Sequence, residues 1–237
     1  MKRLSFYLVA FALLPLSVAE TGAEASLEAY GYRYRVQAIL DGRVKARMII
    51  DTGSSHTIIT PKIARKLGIT NLSKAPSIPL SSAGGVEWMR LVTLQSVTIG
   101  GHETKMVEGA VSSRLGRGVD GLLGMNFLGD YSHIIDGRQM KLVLKPAYET
   151  GELYGEKNQA WWRQRFSRYQ RIIKKYTSIR DKLENGSPPM TAPVSKKGKT
   201  FTDKEIGAII MYYKGLRAEL ARRAKALSMP LSWQNGR

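Results

Sequence analysis

Few residues in this chain are equipped for chemistry, and one of them sits in a telling context. Asp51 closes the apolar run Met48-Ile49-Ile50 and opens the loop Thr52-Gly53-Ser54-Ser55, after which Thr57-Ile58-Ile59 resumes a β-branched run. An acidic side chain that leaves a strand into a glycine-containing loop is a candidate acid–base group. Other chemistries fall away. Cysteine is absent, which excludes a disulfide scaffold, a cysteine zinc site, an iron–sulfur cluster and a thiol nucleophile. The histidines, His56, His102 and His133, show no metal-ligand spacing and read as surface or packing residues. Neither a G-x-S-x-G turn nor a Ser-x-x-Lys motif with its partners occurs. Gly198-Lys199-Thr200 mimics the end of a phosphate-binding loop, but Pro193 stands where the first glycine belongs and no strand precedes it. No metal and no organic cofactor is expected.

The elements around Asp51 are strand-like. Tyr32 to Val36 has period two, Arg47 to Ile50 and His56 to Thr60 are short strands, Leu91 to Ile99 alternates into the turn Gly100-Gly101, and Met140 to Leu144 is another strand. One helix interrupts, from Pro61 at a favoured start to Leu67, with Gly68 as its stop. Short strands with glycine turns over residues 26–148 predict a mainly β fold, a small barrel or sandwich.

Four segments in order carry a resemblance. They are Ile49-Ile50-Asp51-Thr52-Gly53-Ser54-Ser55, the helix Ile63 to Ile69, the strand end Val97-Thr98-Ile99-Gly100-Gly101, and Gly121-Leu122-Leu123-Gly124-Met125-Asn126-Phe127-Leu128, with Ser82-Ala83-Gly84-Gly85 at the place of a flap. Residues 30–146, about half the chain, resemble the single-domain retropepsin-like aspartic proteases of bacteria, in the clan of the retroviral and pepsin-like enzymes. The resemblance implies a small β-barrel of the acid-protease half-domain type and peptide-bond hydrolysis by water activated between two carboxylates. Two carboxylates that close cannot both ionise, so one acts as base and the other as acid. Only one D-T-G motif is present, because Asp120 is followed by Gly121-Leu122. The resemblance therefore implies a homodimer with Asp51 beside its symmetry mate.

Roles follow from the same resemblance. Asp51 would be the catalytic carboxylate, and Thr52 would bond across the dimer. Gly53 would let the backbone approach the substrate, and Ser54 would donate to the Asp51 carboxylate. Ser82, Ala83, Gly84 and Gly85 would form the flap over an extended peptide, and Leu122, Leu123 and Gly124 would pack behind the catalytic loop. His56 departs from the pattern, where a small or apolar residue is commoner, and the flap is less glycine-rich than in viral enzymes. The rival reading is a catalytically silent member of the fold that binds peptides, with a basic helical tail as adaptor.

That tail, residues 151–237, differs in composition. Trp162, Phe166, Tyr169, Ile173, Tyr176 and Leu183 form a heptad-like stripe on a helix over about 154–184. Residues 185–200, rich in proline and glycine, read as a linker. Thr202-Asp203-Lys204-Glu205 is a capping box opening a second helix, to about 228, with Ile206, Ile209, Tyr213, Leu216, Leu220 and Leu227 as its stripe. Two such stripes bury against each other as a helical hairpin, or against the barrel. Trp161-Trp162 is expected in that core or as an interfacial anchor.

The chain of 237 residues carries 37 basic and 19 acidic side chains, a net charge of +18. The tail holds 19 of the basic and 7 of the acidic residues. Such a face attracts polyanions. A solvated helix surface is the favoured reading, with contact to an anionic surface or membrane as the alternative and no nucleic-acid partner expected. At the other end, Met1-Lys2-Arg3, the apolar run Leu4 to Leu16 and Ser17-Val18-Ala19 have the three parts of a secretory signal with a cut after Ala19, or after Ala25. The mature protein is expected in the periplasm or outside the cell, with an uncleaved inner-membrane anchor as the alternative.

Overall fold

A computed structural model describes residues 22–82, 85–148, 150–186 and 201–234. The signal-like segment, Ala83 and Gly84, and nearly all of the proline-rich linker lie outside the described residues.

Strands β1 (Ala23–Tyr30), β2 (Arg33–Leu40) and β3 (Val44–Ile50) form a meander joined by tight turns. β4 (Thr57–Ile59) follows the Asp51 loop, and α1 (Pro61–Lys66) follows β4. Thr60 caps α1 by accepting the Ile63 amide, Pro61 fills the first turn, and Arg65 and Lys66 sit where a helix C-terminus favours cations. β5 (Ser77–Ser82) and the long β6 (Gly85–Ile99) make a hairpin, and β7 (His102–Val111) returns along β6. β8 (Gly121–Leu123) and α2 (Met125–Leu128) lead into the hairpin of β9 (Tyr131–Asp136) and β10 (Lys141–Pro146).

The strand order is β5-β6-β7-β4-β8-β3-β2-β1-β10-β9. A further pairing of Ile39 and Leu40 on β2 with Thr98 and Val97 on β6 closes β2, β3, β8, β4, β7 and β6 into a ring. The inward residues are apolar and dry: Ala38, Leu40, Met48, Ile59, Leu94, Val97, Leu123 and Phe127 are all but inaccessible. Each large side chain buried this way contributes about 1.5–3 kcal/mol, offset by the chain entropy lost in ordering it. β1 is a strand that the sequence reading does not include, and it begins before the β-rich region expected from residue 26: Ala23, Glu24, Ala25 and Ser26 pair with Leu144, Val143, Leu142 and Lys141.

A small hairpin of β11 (Leu153–Tyr154) and β12 (Lys157–Asn158) precedes α3 (Gln159–Glu184). The helix starts later than its apolar spacing suggests, since residues 153–158 are used by this hairpin and Asn158 caps the helix by accepting the Trp161 amide. α4 (Asp203–Ala226) opens with the reciprocal bonds of a capping box between Thr202 and Glu205. The stripes meet: Trp162, Phe166, Tyr169 and Ile173 on α3 and Ile206, Ile209, Tyr213, Leu216 and Leu220 on α4 are buried in one cluster. Leu227 is an exception. It lies past the end of α4 and is exposed.

The helical pair does not stand apart. Ile78, Leu91 and Met106, from the outer face of β5, β6 and β7, belong to the same apolar cluster. The fold is mainly β with a C-terminal helical pair laid on one wall of the ring.

Candidate active site

β3 and β8 run parallel, with Ile49 and Ile50 opposite Leu122 and Leu123. Asp51 leaves β3 at this point. Its amide donates to the Leu123 carbonyl at 3.1 Å, and its own carbonyl accepts the Ser54 amide at 3.1 Å. The Gly53 amide donates to Asp51 Oδ1 at 3.0 Å, which fixes the orientation of the carboxyl group. Asp51 is half-buried, while Thr52 and Gly53 are exposed at the apex of the loop. The loop thus presents a held carboxylate and an open rim.

The segment Leu122-Leu123-Gly124 lies directly behind. A side-chain carbon on Gly124 would come within 2.3 Å of the His56 carbonyl oxygen, and one on Gly121 within 2.3 Å of the Ile58 carbonyl oxygen. Contacts that close are forbidden, so glycine at both positions lets this strand and the loop touch through their backbones. The Ser54 carbonyl accepts the Met125 amide at 2.8 Å, and Thr57 Oγ1 donates to Asn126 Oδ1 at 2.9 Å. The expected bond from Ser54 to the Asp51 carboxylate is not formed. Ser54 Oγ donates instead to the His56 carbonyl at 2.7 Å, because the loop turns the hydroxyl back toward its own chain.

Of the flap residues, Ser82 and Gly85 pair at the end of the β5–β6 hairpin, and Gly85 takes φ 102°, a conformation glycine adopts without strain. Ala83 and Gly84 lie outside the described residues. Between this hairpin and β8, Leu80, Leu115 and Leu122 are partly buried over Ile58, Met89 and Ala110. Asp120 is no second acid. It accepts the Arg47 amide at 3.0 Å and sits 3.6 Å from the Arg47 guanidinium.

Behind the loop is a buried polar cluster that the sequence reading missed. Glu108 on β7 is fully buried. Both of its oxygens accept from Arg168 of α3, Nε and an Nη each at 3.0 Å, and Tyr213 of α4 donates to it at 3.1 Å. His56 Nε2 lies 3.9 Å away. Burial alone would raise the Glu108 pKa, but the Arg168 charge and hydrogen bonds outweigh it and hold the carboxyl below its ordinary value. For His56 burial dominates, and the ring stays neutral to lower pH than an ordinary histidine. A second buried carboxylate, Asp130, accepts from Trp161 Nε1 at 2.8 Å and from Arg165 at 3.1 Å. A signal existed in the sequence: Glu108 is a lone charge in the run Met106 to Val111, and Arg165 and Arg168 fall among the stripe residues of α3.

The two lowered values give one sign. A group whose folded pKa is depressed contributes stability that is present above its unfolded pKa and lost as the pH falls through the folded value. Glu108 and His56 both act this way, so thermal stability is expected to fall on acidification through the histidine range and then the carboxylate range. In Glu108→Gln the carboxylate part of that slope is expected to shrink, as read from melting temperature against pH.

The profile of the family described as Aspartyl protease matches residues 36–127, from β2 through the Asp51 loop to α2. A retropepsin-like aspartic protease from Rickettsia conorii is 31% identical, with 51% of this chain and 87% of that one covered and a TM-score of 0.41. The chain belongs to the retropepsin-like aspartic proteases. Other members with solved structures are more distant. The EIAV protease is 15% identical over 44% of this chain and 93% of its own, with a TM-score of 0.34. The retroviral protease-like domain of Ddi1 from Leishmania major is 14% identical over 49% and 96%, with a TM-score of 0.31. No curated protein is significantly similar to the chain. Within this retropepsin-like protein the matched residues hold the Asp51 loop, the β5–β6 hairpin and β8, while the helical pair lies beyond them.

Proposed function

We propose that the protein is an aspartic endopeptidase that works as a homodimer, with water activated between Asp51 and the Asp51 of a second copy. The observation that carries this reading is the Asp51 loop. Its carboxylate is held by the Gly53 amide at 3.0 Å and anchored to β8, yet its rim is open. One carboxylate cannot serve as both acid and base in a single proton relay, and the chain supplies one such loop. A two-fold axis beside Thr52 supplies the second. The edge strand β9 shows exposed Ile134 and Ile135, apolar surface suited to an interface between copies.

In this reading a water between the carboxylates attacks the scissile carbonyl. The ionised Asp51 takes a proton from the water while the protonated partner gives its own to the carbonyl oxygen. When the C–N bond breaks, the proton now on Asp51 goes to the leaving amine and a gem-diol hydroxyl returns a proton to the partner. Leu80, Leu115 and Leu122 favour apolar side chains beside the scissile bond. Ser82 and Gly85, paired at the end of the β5–β6 hairpin, stand where the peptide would be covered. Export by the N-terminal signal accords with this assignment. A cut after Ala19 keeps β1 whole, whereas one after Ala25 removes three of its residues paired to β10.

The test is cleavage of a complex peptide library by the wild-type protein at acidic and neutral pH, beside Asp51→Asn. Cleavage by wild type alone supports the reading. Equal cleavage by both counts against it and points to a contaminant or a different active site, and cleavage by neither leaves the silent peptide binder as the better description.

A further inference from the structure

The helical pair touches the catalytic half of the molecule at a place that bears on the Asp51 loop. Glu108 is fully buried, and its carboxylate is held from outside the matched domain, its charge balanced by Arg168 of α3 and a further hydrogen bond donated by Tyr213 of α4. On its other side lies His56, the residue two after Ser54. His56 is buried at 7% exposure, its Nδ1 is bonded to Ser55 Oγ at 2.9 Å, and its carbonyl receives the Ser54 hydroxyl and abuts Gly124. The same glutamate reaches the loop by a second route. Its carbonyl accepts from Asn126 Nδ2, and Asn126 Oδ1 receives Thr57 Oγ1. A displacement of Glu108 is therefore passed to the loop through both His56 and Asn126.

We propose that the C-terminal helices are a positioning element of the protease, with Arg168 setting the Asp51 loop through Glu108 and His56. Arg168 and His56 are positioning residues, since neither touches the reacting atoms. The tail then completes the active site; it is not a segment to be shed before cleavage begins. The inference deepens the protease reading and rests on it for its catalytic consequence.

The physical argument is one of unpaired charge. With Arg168 present, the guanidinium neutralises Glu108 and opposes protonation of His56. Without it, a buried carboxylate faces the ring at 3.9 Å with Arg165, itself paired to Asp130, as the remaining cation acting on it. The charged groups that bear on the ring are Glu108 from β7 and Arg168 from α3, while Arg165 and Tyr213 act on Glu108 from behind. Proton uptake by the His56–Glu108 pair must then move to higher pH.

The experiment compares full-length wild type, Arg168→Met, Arg168→Lys and Arg171→Met, the last a like charge on the exposed face of the same helix. Ring resonances of His56 are followed against pH, and kcat and KM are measured on a peptide that the wild type cleaves. In Arg168→Met the His56 midpoint moves up and kcat falls about tenfold or more, with KM nearly unchanged, as expected when a catalytic group is misplaced. Arg168→Lys, which keeps the charge but loses the two-pronged bond, moves the same way by less and serves if the methionine variant does not fold. Arg171→Met changes neither. A folded Arg168 variant with a wild-type midpoint and wild-type kcat overturns the proposal. A shifted midpoint in a protein whose wild type cleaves nothing leaves the charge relay standing and removes the protease reading instead.

Discussion

Asp51→Asn is expected to lower kcat by about a thousandfold or more while the protein stays folded, since acid–base groups of this kind contribute about two to four orders of magnitude. The amide keeps the shape of the carboxyl group, and its oxygen can still accept the Gly53 amide that now reaches Oδ1 at 3.0 Å. What it loses is the lone basic site and the exchangeable proton. In a dimer the substitution removes both carboxylates of the pair at once, so no acid and no base remains. Asp51 is only half-buried, so stability should change little. The measurement is kcat on a defined peptide from the library, together with a melting curve that shows the variant intact. A folded variant with kcat within about tenfold of wild type would place the chemistry elsewhere.

Asp130→Ala is expected to be the most damaging single change for stability, at about 3–5 kcal/mol. Asp130 is nearly inaccessible, and so is its partner Arg165. Deleting the carboxylate strands a guanidinium in the interior and removes the acceptor for the Trp161 indole, which donates to it at 2.8 Å. It also empties the space between β7, the start of β9 and the first turns of α3. The loss should appear as a lower denaturation midpoint. Helix α3 should gain hydrogen exchange first near Trp161, because this carboxylate joins the helix to the end of the β-rich half. Replacing Asp130 and Arg165 together by apolar residues should recover part of the loss, because the stranded charge is gone.

Both predictions concern single carboxylates, and they were not equally legible in the sequence. Asp51 announces itself because local rules place it: an apolar strand ends, a glycine loop begins, and a β-branched strand follows. The helix from Pro61 was equally clear, since its cap, its proline and its closing glycine are all local. The apolar stripes of α3 and α4 could be read from spacing, because a helix repeats its face every few residues whatever it packs against.

Glu108 and Asp130 were not legible in this way. Their partners lie tens of residues away in sequence, on a helix whose arginines look like any other members of a basic tail. Strand β1 as a whole is not legible, because Ala23 to Ser26 have little intrinsic preference and are ordered by pairing with β10, as Leu27 to Tyr30 are by pairing with β2. The hydroxyl of Ser54 was misassigned for a related reason. Which of two nearby acceptors it chooses depends on how tightly Gly124 lets the loop fold back, and that is a property of packing.

The central claim is a shared site in which each of two copies supplies one Asp51, and mixing tests it most directly. Wild type and Asp51→Asn are combined at constant total protein, allowed to exchange subunits, and assayed for cleavage. If both carboxylates are required, activity follows the square of the wild-type fraction, so an equal mixture retains about a quarter of the activity. If each chain works alone, the fall is linear and the equal mixture retains about half, a result that would contradict the paired-carboxylate account.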